Sequence, residues 1–244
     1  MASHQQALLW RTPTTASNWL LTNLKFYLKL DESSGNTTDI VWSKVWTAIN
    51  QATFATGKIN NWWSFDGTTD YFRFADHTDF DFWTWAVSIS FRCYQNSLAN
   101  YKYISNQRFN NGSTWAQVWV FSQPWSATGD SMAFFIYNWS AWQKVSSTNG
   151  SHSATTREHW VVTRSSDWIT MKIYKNWALN NTATTTARNW DNNWYWSIGE
   201  NIWQPWWRNW KIDEYWIWNR ELSLADVEAL YNSWSWLPYW DFTS

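Results

Sequence analysis

The sequence predicts a single all-β domain, a sandwich or a barrel, and three observations carry that expectation. Apolar and polar residues alternate in many short segments, the period of a half-buried strand. Turn-forming residues separate these segments, and helical spacing appears once, near the C-terminus. At 244 residues and 29.2 kDa, the chain has the size at which β-sandwiches commonly form one unit.

Taken in chain order, residues 1–22 (MASHQQALLWRTPTTASNWLLT) read as a polar arm, with a short apolar patch at Ala7–Leu9 and a Pro13/Thr/Ser cluster. This arm is expected to link or dock, and the domain proper is expected over 23–244. Leu24, Phe26, Leu28 and Leu30 alternate with Lys25, Tyr27 and Lys29, which predicts the first strand. Val87, Ile89 and Phe91 alternate with Ser88, Ser90 and Arg92 in the same way. Further strands are expected over 70–74, 101–105, 116–121, 132–138, 158–164, 169–175, 195–199 and 211–218. LSLADVEALYNSW is the single helix, capped by Ser223 with Asp226 completing a capping box. Its Val227, Leu230 and Tyr231 share one face, expected to plug a sheet edge.

The composition is unusual: 28 Trp against seven Gly, where Gly ordinarily makes up about 7 % of a chain. Seven of the tryptophans follow Asn directly: Trp19, Trp62, Trp139, Trp177, Trp190, Trp194 and Trp210. Asn-Gly is the common two-residue hairpin turn, because both central residues of a type I′ turn need positive φ. In ITMKIYK-Asn176-Trp177-ALNN a strand runs straight into such a turn. Many Trp letters are therefore expected to stand where the fold wants Gly, as when a codon read as glycine is translated as tryptophan.

Charged residues make up 15 % of the chain, the formal net charge is −1, and Lys and Arg do not cluster. A nucleic-acid surface is not expected. No run approaches the 18 apolar residues of a membrane span. Cys93 is alone, so no intramolecular disulfide forms. The N-terminus lacks the charged-then-apolar layout of a secretory signal. An extracellular or virion location is expected, reached by lysis or by assembly on a particle.

LKLDESSGNTTD (28–39), SFDGTTDYFRFAD (64–76), FDFWTWAVSISF (80–91), HWVVTRSSDWITMKIYKNWALN (159–180) and KIDEYWIWNRELSLADVEALYN (211–232) occur in that order. Together they resemble the laminin-G-like, concanavalin-A-like lectin/glucanase family over roughly residues 24–236. The resemblance implies a jelly-roll β-sandwich of two antiparallel sheets with one short C-terminal helix. It also implies Gly at Trp83, Trp85, Trp168, Trp177, Trp210 and Trp216, and an aromatic at Trp160 and Trp218. A structural calcium is implied too, joining Asp31 in KLDESSGN to Asp213 on the last strand. Calcium takes six to eight oxygens. The alternative for Asp213 and Glu214 is to cap a sheet edge or pair with Lys or Arg. The arm MASHQQALL resembles the starts of phage structural proteins.

Glycoside hydrolysis needs two carboxylates flanking the scissile bond. Glucanases of the resembled family carry Glu-x-Asp-x-x-Glu on one strand, a spacing that Glu32, Glu158, Glu200, Glu214, Glu221 and Glu228 do not provide. Asp79 and Asp81 read as a solvated loop, and Asp66 as turn chemistry with Gly67. His4, His77, His152 and His159 show no metal-ligand spacing, and His159 reads as an edge or surface residue. Trp206 and Trp207, in GENIWQPWWRN, are the candidate sugar-stacking residues. The expected function is a non-catalytic module binding a glycan or glycoprotein, displayed on a virion or cell surface. The alternative is a structural decoration protein whose arm docks to a neighbour and which binds no ligand; a glycoside hydrolase is a third, less favoured reading.

Overall fold

The chain is known from a computed structural model. It describes residues 18–50, 53–57, 60–66, 69–80, 86–98, 102–109, 116–123, 130–137, 142–167, 169–186, 194–200 and 210–231. A short helix α1 (Asn18–Leu21) precedes β1 (Leu24–Leu28), β2 (Thr37–Thr38), β3 (Val45–Ile49), β4 (Thr53–Thr56), β5 (Asn61–Phe65) and β6 (Tyr71–Phe74). There follow β7 (Val87–Gln95), β8 (Lys102–Phe109), β9 (Ala116–Gln123), β10 (Ser131–Tyr137) and β11 (Trp142–Ser146). The chain continues through β12 (Arg157–Arg164), β13 (Thr170–Lys175), β14 (Ala178–Thr184), β15 (Trp194–Ile198), β16 (Trp210–Trp218) and helix α2 (Leu224–Tyr231).

Two eight-stranded sheets result. The first runs β14-β13-β12-β7-β16-β5-β4, with β1 also on β16; the second runs β11-β10-β9-β8-β15-β6-β3-β2. Both are antiparallel, for example at β12 on β7 and β15 on β8. This is the β-sandwich of jelly-roll type that the sequence predicts. No helix among the described residues is long and apolar enough to cross a membrane.

The core lies between the sheets, where Phe26, Phe91, Phe134, Trp160, Trp196 and Ile217 are buried in one cluster. Full burial of each such side chain contributes roughly 1.5–3 kcal/mol. Strand β7 shows how sequence becomes layers. Ile89, Phe91 and Cys93 enter this core, while Ser88, Ser90 and Arg92 take the opposite face.

That opposite face is buried as well, with Arg92 only 4 % exposed. A second cluster covers it: Leu20, Tyr27, Val161, Trp216, Trp218, Val227 and Leu230. Trp216 stacks on Tyr27 with centroids 3.7 Å apart, and lies nearly parallel to Trp218 at 5.5 Å. The Trp218 indole N–H donates to the Leu20 carbonyl at 2.7 Å. The end of the arm is thus packed onto the sheet. Helix α2 carries the expected capping box: Asp226 accepts from the Ser223 amide at 2.6 Å, and Ser223 Oγ accepts from the Asp226 amide at 3.2 Å. The helix covers this sheet face and not only an edge: Val227 and Leu230 bury against Trp216, Trp218 and Val161, and α2 also meets the edge strand β14.

Two further expectations are corrected. His159 is buried, 3 % exposed, because its ring lies parallel to Tyr231 of α2 and meets Ser90 Oγ at 2.8 Å. In the 175–178 hairpin the left-handed residue is Asn176 (φ 59), and among the described residues no Trp has positive φ. Positive φ at the first central position alone is the type II′ pattern. Asn tolerates the left-handed region better than most side chains, so this turn does not require glycine at 177. Trp139 and Trp190 lie outside the described residues.

Candidate functional site

The residue pair expected to hold calcium lies within electrostatic reach. Asp213 is fully buried on β16, at a bulge where Glu214 takes φ 50. Burial, the Glu214 charge and the Asp31 charge all push the Asp213 carboxyl well above its ordinary range. Burial also raises Glu214, to about 7, although the Tyr27 hydroxyl donates to it at 2.6 Å and Arg92 opposes the rise. Asp31 accepts from Asn60 Nδ2 at 2.9 Å, yet burial raises it too. Asp31 Oδ1 and Asp213 Oδ2 are both buried with no hydrogen-bond partner. Orphaned buried carboxylate oxygens are the donor atoms calcium prefers. They fit the ion in kind, and they leave most of its shell to carbonyls and water, because no group of three or more His, Cys, Asp or Glu converges among the described residues.

The outer face of the second sheet is different in character. Register places Thr47, Arg73, Ser197, Asn106, Phe135 and Lys144 in one row across it, paired through backbone position 119. Directly opposed residues share a face. Neither helix belongs to this side. The Arg73 guanidinium lies 4.0 Å from the Tyr195 ring centroid and 5.1 Å from that of Tyr71. It pairs with Glu200 at 2.8 Å, and Tyr195 Oη also donates to Glu200. Burial works against the Arg73 charge, but Glu200, Tyr195 and Tyr71 together more than offset it. Asn106 Nδ2 donates to the Glu200 carbonyl at 3.2 Å and Ser197 Oγ to Asn106 Oδ1 at 2.9 Å. Beyond them, toward β11, lie the rings of Tyr103, Phe121 and Phe135.

Glu200 is the last described residue before the segment with Trp206 and Trp207, which lie outside the described residues. Glu200 itself is held to the outer face by Arg73, Tyr195 and Asn106. Sequence reading did not find these three residues or the ring cluster. Each lies on a strand that alternation located, but the row they form depends on pairing register.

Several other carboxylates are engaged. Glu32 accepts from Thr37 Oγ1 and Trp63 Nε1, and Glu221 from Lys172. Glu158 is enclosed by His152, Lys175 and Trp160. Asp79 is held by Lys25, Lys44 and His77 and is not simply solvated, while Asp81 lies outside the described residues. Asp66 accepts from the Thr69 amide at 3.1 Å, as turn chemistry requires.

No family model matches the sequence, and no curated protein matches it. Solved structures do. The binding domain of Paraclostridial Mosquitocidal Protein 1 is 14% identical, with 88% of this chain and 53% of that chain covered at a TM-score of 0.72. The binding domain of botulinum neurotoxin DC in complex with rat synaptotagmin II is also 14% identical, covering 88% and 52%, with a TM-score of 0.68. Domain 4 of a GH43 extracellular arabinanase from Geobacillus stearothermophilus, in complex with arabinotriose, is 17% identical, covering 85% and 98%, with a TM-score of 0.66. The chain spans about half the length of the toxin structures and nearly all of the arabinanase domain. At these identities the likeness shows the shared β-sandwich fold.

Proposed function

We propose that the chain is a non-catalytic binding module for a glycan or glycoprotein. Its ligand surface is the outer face of the second sheet together with the loops at its rim. One observation carries this reading. The first sheet's outer face is covered by α1 and α2, whereas no helix among the described residues lies over Arg73, Tyr103, Phe135 and Lys144 of the second. Aromatic rings beside fixed polar groups are what sugar recognition uses. The arabinotriose complex and the two toxin binding domains, one holding a protein receptor, support the same use of this fold. An extracellular or particle-borne setting follows from this role. Calcium, where bound, takes Asp31 Oδ1 and Asp213 Oδ2 and completes its shell with carbonyls and water. It would neutralise the buried Asp213 carboxylate and the half-buried Asp31 there.

A glycan array that includes arabinan oligosaccharides tests this reading. Binding that weakens in Arg73→Ala supports it. Absence of binding to every glycan favours a purely structural protein instead.

A further inference from the structure

On the β8–β11 side of the same outer face, three rings form a continuous surface. Phe121 and Phe135 stack with centroids 4.9 Å apart and planes at 28°, and Tyr103 lies 5.7 Å from Phe121 on the other side. Phe121 is the buried floor, while Phe135 and Tyr103 are half-buried. Lys144, the register partner of Phe135, is exposed, and its Nζ stands 5.5 Å from the Phe135 centroid. It pairs with no carboxylate among the described residues. Arg73, farther along the same row, already has its charge matched by Glu200. Ser146 is the register partner of Ala133, within the ring cluster, and its Oγ has no hydrogen-bond partner.

We propose that this patch is the subsite for a carboxylated sugar ring. This rests on the glycan-binding reading above and names the chemical class that the site takes. The C–H face of a pyranose packs on Phe135 and Tyr103. Its carboxylate then meets the Lys144 ammonium, which pairs with no carboxylate among the described residues. Charge complementarity selects this occupant: a neutral sugar gains the stacking but leaves Lys144 unmatched. A charge-assisted hydrogen bond is roughly twice as strong as a neutral one.

Calorimetry on the full chain tests the proposal. Two acidic probes, hyaluronan hexasaccharide (a uronate) and 3′-sialyllactose (a sialate), are compared with their neutral counterparts, chitohexaose and lactose. At least one acidic probe is expected to bind about tenfold more tightly than its counterpart. Lys144→Gln, an exposed change that leaves the core intact, is expected to remove that advantage without altering neutral binding. Phe135→Leu, which keeps an apolar side chain and removes the ring, is expected to weaken both. Equal binding of acidic and neutral probes overturns the proposal, as does an acid preference that survives Lys144→Gln, or no acidic binding at all. Neutral glycans binding without any acid preference would sink this inference and leave the module reading standing. A blank result with every glycan would sink both.

Discussion

Trp160 donates its indole N–H to Glu158 at 2.9 Å, two residues away on the same strand, where both side chains are fully buried. The carboxylate also receives His152 and Lys175, the latter at 2.7 Å, so β12, β13 and the 147–156 connection meet on it. Burial pushes the Glu158 carboxyl up, but the His152 and Lys175 contacts more than offset this, and it lies below its ordinary value.

A lowered folded value contributes stability that is present above the unfolded carboxyl range, about pH 4.3, and lost as pH falls through the folded value. Glu158→Gln should therefore cost about 3 kcal/mol at pH 7. The gap between variant and parent should close in acid. Urea melts across pH check this; a gap independent of pH would contradict it.

Leu20 has no exposed surface and belongs to the cluster beneath α2. Leu20→Ala is expected to cost between about 2 and 5 kcal/mol. A thermal melt indistinguishable from the parent would mean that α1 is only a tether.

Calcium should raise the melting temperature if Asp31 and Asp213 hold it, because a ligand that binds only the folded state stabilises by about 2.7 kcal/mol at a hundred times its Kd. Asp213→Asn should abolish that response. A parent melt unchanged by calcium or chelator would remove the ion from the account.

The reading of some Trp positions as glycine rests on composition and the family resemblance, since the torsions at the described positions lend it no support. Trp160 and Trp218 each place an indole N–H on a buried acceptor and are used as tryptophan. Natively produced protein is expected to be lighter than 29.2 kDa by mass spectrometry if other Trp positions are read as glycine. A mass of 29.2 kDa would end that idea.

Much of the fold was legible in the sequence, because long alternating strands announce their period. The pattern at 87–91 became part of β7, and 169–175 became β13 almost to the residue. The Ser223/Asp226 box was legible for the same reason: it is local. Strands β2 and β4 are short, and β14 (ALNNTAT) is polar and largely exposed, so neither type carries an apolar signature. Ser90, Arg92 and His159 read as solvent-facing because nothing in their neighbourhood signals that residues 20 and 222–231 fold over them. The same limit hid the row from Arg73 to Lys144. Five separate pairings assemble it, and each depends on register that no single segment encodes.

The most direct measurement is a glycan array probed with the parent chain and with Arg73→Ala. Saturable binding to at least one glycan class, weakened in the variant while its melting curve stays cooperative, is the predicted result. Silence across the array, or binding indifferent to every change on the second sheet's outer face, would contradict the assignment of that face.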